Sequence, residues 1–139
     1  MEDGVSFAQI DFDGGERFQA LRRELGVSTF GLNLILLAPG QAGRIHRHEH
    51  QEEVYLVIEG TLTLSFEDSE RELSRGELAR VAPPVRRRLS NRGDERVAIL
   101  ALGGAQPHQG RDGVAYESWE SSEGRPPQDI PLPPDLDGT

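Results

Sequence analysis

Three of the chain's four histidines, His46, His48 and His50, fall within five residues, and two acids, Glu52 and Glu53, follow at once. Imidazole and carboxylate bind first-row transition metals without help from sulfur. The chain has no cysteine, so thiolate nucleophiles, disulfides and zinc–thiolate sites are excluded. On a strand, residues i and i+2 share a face, which points His46 and His48 the same way. Glu53, at the start of the next strand, can close a set of two histidines and one acid. That is the ligand type of non-haem iron, and it also suits manganese, nickel, copper or zinc. Two blander readings stand beside it: loop histidines solvated next to Arg44 and Arg47, or histidines and acids paired by hydrogen bonds. Glu52 should face away from Glu53, and His50 should lie beyond the strand, exposed. Tyr55 and Val57 share the parity of Glu53 and are expected to line the same cavity, with Tyr55 a candidate ligand contact. His108, in Gln106-Pro107-His108-Gln109, reads as a surface-loop residue that only a tail folded across the site would bring in.

These side chains need strands to position them, and the surrounding sequence supplies strand signals. Phe30 to Leu37 is nearly continuous in apolar residues and stops at Pro39-Gly40. A run that short and apolar suits a strand buried on both faces. Glu53–Ile58, Thr61–Phe66, Arg71–Leu73, Leu78–Val81, Val85–Asn91 and Val97–Leu102 follow, separated by turn signals such as Glu59-Gly60, Arg75-Gly76, Pro83-Pro84 and Arg92-Gly93-Asp94. Short strands at this spacing, with no long helical pattern between them, predict an antiparallel barrel or double-sheet sandwich. Val5–Phe12 alternates weakly and is expected to be a first strand. Phe18–Leu25 fits a helix or an edge strand. Beyond Gly103 the prolines from Pro126 to Pro134 predict an extended tail, with residues 114–119 docked on the barrel and 122–139 a strap or mobile.

The spacing also carries a resemblance. Gly40, His46, His48, Glu53 and Gly60, separated by five, one, four and six residues, match the first motif of the cupin superfamily throughout. A second motif is present in altered form: Gly76, five residues, Ala82, then Pro83-Pro84 at the usual Pro-Gly turn, and Asn91 at the motif's Asn. The chain thus resembles a small single-domain, conserved-barrel cupin. The resemblance implies an all-β fold, an antiparallel double-stranded β-helix (cupin jelly-roll barrel). Residues 1–119 would form the barrel around a motif core at 40–93, and 120–139 a Pro-rich extended tail. It implies His46, His48 and Glu53 as ligands of a divalent transition metal (Fe, Mn, Ni, Zn or Cu), and a homodimer, with residues 5–12 or 18–25 contributing. An exposed sheet edge favours pairing in the same way.

Four residues before Asn91, where the second motif has a histidine that serves as fourth ligand, stands Arg87, within the run Arg86–Arg88. Arginine stays protonated and cannot ligate. Alternation puts Arg87 on one face with Val85, Leu89 and Asn91, the face expected to look inward. A guanidinium near 5 Å from a divalent ion would repel it by about 6–7 kcal/mol at an effective dielectric of 20. Arg87 therefore has three readings: a cation offset by Glu53 beside a three-ligand metal site, a forked anchor for a carboxylate or phosphate ligand, or an internal partner of Glu53 in a pocket that has lost its metal.

Two function classes follow. As an enzyme, the protein would perform metal-dependent chemistry, of oxygenase or isomerase/epimerase type, on a small polar or anionic molecule. As a binding module, it would hold such a ligand without metal or turnover. Composition trims the alternatives. The chain has 139 residues and a net charge of −9, so neither nucleic acid nor an anionic membrane is an expected partner. Apolar content is 35%, and the longest apolar run, Leu34 to Ala38, is far short of the ~20 residues that span a bilayer. The acidic start Met1-Glu2-Asp3-Gly4 lacks the apolar core of a signal peptide, and with no cysteine present a cytoplasmic location is expected.

Overall fold

Among the described residues, alternation, turn glycines and one long apolar run translate into ten strands, one short α-helix and a single 3₁₀ turn at Pro127–Asp129. The computed structural model describes residues 3–105 and 111–136. The elements are β1 (Phe18–Gln19), α1 (Leu21–Leu25), β2 (Gly31–Leu37), β3 (Ile45–His48), β4 (Glu52–Glu59), β5 (Thr61–Ser65), β6 (Glu70–Ser74), β7 (Leu78–Val81), β8 (Arg88–Ser90), β9 (Val97–Gly104) and β10 (Gly113–Tyr116). One sheet runs β1-β2-β9-β4-β7, every pair antiparallel. The facing layer combines β6-β5-β8 with β10-β3. Isolated bridges, Ala42 to Ser90 and His46 to Arg87, stitch β3 to the β8 side. The result is the antiparallel two-layer fold expected from the strand spacing and the all-β jelly roll that the resemblance implies.

The apolar run becomes β2, held between β1 and β9, and Leu34 and Leu37 are buried on opposite faces as a doubly covered strand requires. Inside the two layers lie Tyr55, Val57, Leu64, Leu89, Ile99 and their neighbours. Burial of each large apolar side chain stabilises by about 1.5–3 kcal/mol. Outside the first sheet, Leu21 of α1 covers Leu34, Leu36 and Ala98, helped by Ile10 and Phe12. The β4–β5 hairpin turns at Gly60, whose φ of +78° and approach to the Arg96 carbonyl leave no room for a side chain.

Two expectations are corrected and one open alternative is resolved. Val5–Phe12 is not a strand: Val5 and Phe7 are exposed, and Ile10 and Phe12 pack on the outer face of the sheet without a ladder. Phe18–Leu25 is both of its alternatives in sequence, two residues of β1 and then α1, which the left-handed Gly26 terminates. Of Val85–Asn91 only Arg88–Ser90 joins a ladder. Prolines 83 and 84 bring no N–H, and Val85 N–H closes a turn onto Ala82, leaving Val85 exposed rather than inward.

The C-terminal segment runs along the second layer. β10 pairs with β3. Ile130 is buried, Arg44 Nε donates to its carbonyl at 2.7 Å, and Leu136 N–H donates to Gly40 O at 2.6 Å. Among the described residues no helix is long and apolar enough to cross a membrane.

Candidate metal centre

β3 and β4 lie in opposite layers and carry the ligand candidates toward each other. On β3, strand parity turns His46 and His48 to one side, and both are partly buried, with side-chain exposures of 23% and 14%. On β4 the same parity turns Glu53 and Tyr55 inward. His46 Nε2 lies 3.7 Å from Glu53 Oε1, and His48 Nε2 lies 3.4 Å from Glu53 Oε2. One ligand atom from each of the three residues falls within 4.8 Å of the others. Ligands about 2.0–2.2 Å from a shared ion sit roughly 3 Å apart, so small side-chain movements suffice.

The chemistry of the donors fits a cation. His48 Nδ1 is 2.8 Å from Asp112 Oδ1, and a carboxylate only accepts, so Nδ1 carries the proton. The lone pair of neutral His48 is then on Nε2. That atom is buried and has no hydrogen-bond partner. Glu53 Oε2 lies 3.4 Å away without hydrogen-bond geometry, and a lone pair facing a carboxylate oxygen is relieved by a cation between them, whether a proton or a metal ion. His46 follows the same pattern more loosely, its Nδ1 being 3.3 Å from the Arg44 carbonyl.

Behind the carboxylate stands Arg87, opposite His46 in the backbone (both N–H···O distances 2.9 Å) and wholly buried. Its Nη2 donates to Glu53 Oε1 at 2.8 Å, its Nε to Tyr55 Oη at 3.1 Å, and its Nη1 to the Val85 carbonyl at 2.7 Å. Tyr55 in turn donates to Glu53 Oε1 through a short hydrogen bond. The two carboxylate oxygens are thus differentiated: Oε1 is held by Arg87 and Tyr55, and Oε2 faces His48.

Electrostatics agree with this division. Burial pushes the Glu53 carboxyl up, but His46 and His48 outweigh it and hold it well below the ordinary range. Burial, reinforced by the Glu53 charge, pushes the Tyr55 phenol well up, so it stays a donor. For Arg87, burial works against the charge, while Tyr55 and Glu53 more than restore it. Burial likewise opposes charge on His48, and Glu53 and Asp112 raise its pKa nonetheless.

Of the other sequence candidates, His50 is exposed and contributes only its backbone N–H, to Asp112. Glu52 points outward and pairs with Arg80. His108 lies outside the described residues. Asp112 was missed, because no local pattern ties it to His48 and only the β10–β3 pairing brings it there. A broad cleft of about 1280 Å³ lined by Phe30, Glu52, Val54 and Leu102 lies on the reverse face of β4, away from the ligand cluster.

Two antiparallel layers closing over a His-His-Glu cluster define a metal-competent small β-barrel. The Cupin domain family model matches residues 33–103, half of the chain, and the chain belongs to the cupin family. No curated protein matches the sequence. Among solved structures, the chain is similar to a cupin protein from Bacteroides fragilis (19% identity, TM-score 0.66, covering 76% of this chain and 86% of that one). It is also similar to a Cupin 2 conserved barrel domain protein from Salinispora arenicola (24% identity, TM-score 0.58, 69% and 81% covered). A third is a sugar phosphate isomerase of the cupin superfamily from Silicibacter pomeroyi (26% identity, TM-score 0.65, 84% and 79% covered).

Proposed function

We propose that the protein holds one divalent transition metal on His46 Nε2, His48 Nε2 and Glu53 Oε2, and acts there on a small polar or anionic molecule reaching the site past the two histidines. The observation that carries this reading is His48 Nε2, a buried atom with no hydrogen-bond partner that lies 3.4 Å from Glu53 Oε2. A bound ion would supply a Lewis acid for a carbonyl or hydroxyl oxygen of the ligand. The chain's own residues fix the carboxylate: Arg87 and Tyr55 occupy Oε1, so Glu53 offers one oxygen and leaves the remaining positions open. Likeness to a structure named as a sugar phosphate isomerase favours isomerase-type chemistry over oxygenation and a sugar phosphate as ligand class.

The Arg87–Glu53 ion pair favours a second reading, a metal-free, non-catalytic ligand pocket in which the guanidinium replaces the cation. Metal analysis separates the two. Protein purified without a His tag should contain, or take up from Fe, Mn, Ni, Zn or Cu salts, close to one ion per chain, and His46→Ala should abolish this. Failure of the native protein to bind any of these ions overturns the metal reading. Titration with sugar phosphates and small carboxylates, with and without metal, then tests the ligand class; metal-independent affinity would favour the second reading.

A further inference from the structure

We infer that Asp112 is the positioning residue of this centre, setting which nitrogen of His48 faces the ion and locking the loop between the two ligand-bearing strands. The inference rests on the metal reading for its consequence, though not for its geometry. Asp112 lies outside the residues the family model matches. It stands at the foot of β10, where Gly113 pairs with His48 and the Asp112 carbonyl accepts from Glu49 N–H at 2.9 Å. Its side chain is 5% exposed and accepts four hydrogen bonds. Oδ1 takes His48 Nδ1–H and Gln51 Nε2–H, both at 2.8 Å. Oδ2 takes the backbone N–H of His50 at 2.6 Å and of Gln51 at 2.7 Å.

Four donors converging on one carboxylate leave no place for a proton on it. A neutral imidazole must therefore place its one proton on Nδ1, toward Asp112, and turn Nε2 as an acceptor toward Glu53. A carboxylate behind a ligating histidine also raises the basicity of the ligating nitrogen. At the same time the bonds to residues 50 and 51 tie the β3–β4 loop, so His48 on β3 and Glu53 on β4 keep a fixed separation before any ion arrives.

Asp112→Asn tests this. An amide has nearly the same shape but turns its NH₂ either toward two backbone N–H groups or toward His48 and Gln51, so it cannot accept all four bonds. With Co²⁺ as probe, calorimetry on the folded variant should give a Kd raised by about 10–100-fold. In the metal-free native protein, long-range ¹H–¹⁵N correlation at a pH where the ring is neutral should place the His48 proton on Nδ1, and in Asp112→Asn the Nε2–H form should appear. A native His48 protonated on Nε2 overturns the inference, as does a folded Asp112→Asn variant with unchanged tautomer and unchanged Co²⁺ affinity. If Asp112→Asn does not fold, the native tautomer decides. If the native protein ignores Co²⁺ yet shows the Nδ1–H form that the variant loses, the metal reading fails while the positioning role of Asp112 stands.

Discussion

Glu53 serves two partners at once, and the energetics of the site follow from that. Its Oε1 neutralises a guanidinium with no access to solvent, and its Oε2 is the acid member of the candidate ligand set. Removing one partner of a buried pair leaves the other charged and unsolvated, which costs about 3–5 kcal/mol. Glu53→Ala and Arg87→Met should each lower stability by that amount in urea unfolding. The double variant, with no charge left to bury, should lose less than the two summed; simple additivity would show that the pair is not coupled. Arg87→His is expected to behave differently. It removes a cation and offers an imidazole directly opposite His46 in the backbone, so Co²⁺ should bind at least about tenfold more tightly by calorimetry, while the metal-free form becomes less stable. Much of this site was legible in sequence, because His46, His48 and Glu53 are neighbours whose directions follow from strand parity, and alternation turned Arg87 inward. The destination of the Arg87 donors was not legible: Tyr55 and the Val85 carbonyl are ordinary residues until the chain closes around them.

At the scale of elements, the site depends on β3 and β4 arriving from opposite layers, and the β4–β5 turn fixes where β4 ends. Gly60 occupies that turn with φ +78°, and a Cβ there would sit 2.3 Å from the Arg96 carbonyl oxygen. Gly60→Ala should therefore destabilise by at least about 1–3 kcal/mol from backbone conformation alone, read as a lower midpoint in thermal or urea unfolding. Because Gly60 is seven residues beyond Glu53 at the other end of β4, Co²⁺ affinity of the folded variant should stay within about twofold of native; a larger loss would mean that the turn sets the ligand geometry. Strands flanked by such turns were readable, since alternation and punctuation agree there. Val5–Phe12 misled because alternation shows only that two faces differ and cannot supply a partner strand. In α1, five residues are too few for a helical period to declare itself, and its one buried residue, Leu21, is explained by the sheet beneath it rather than by its neighbours in sequence.

At the scale of the whole molecule, the described residues cover one outer half of the first sheet and leave the other half open. Ile10, Phe12 and Leu21 cover β2 and the adjoining part of β9. Toward β7, Leu78 is 63% exposed and Val54, Leu56 and Leu102 are half-buried, while Leu100 packs against the covered cluster. The register makes these one patch: Leu56 pairs with both Leu78 and Leu100, and Val54 with Leu102. β7 is also an edge strand with one unpaired side, the feature that folded proteins cover or blunt. A two-fold contact would use this same patch on both copies and cover it with like surface. Residues 5–12 and 18–25, expected to contribute to a dimer, keep Val5, Phe7 and Phe18 exposed, and the β4–β7 face is a second candidate surface. The protein should elute at twice the chain mass by light scattering at micromolar concentration, and Leu78→Glu, which places two carboxylates against each other across the axis, should return it to monomer without lowering its unfolding midpoint or its Co²⁺ affinity. A native monomer at that concentration would rule the dimer out, and a Leu78→Glu variant that remains dimeric would move the contact to another face.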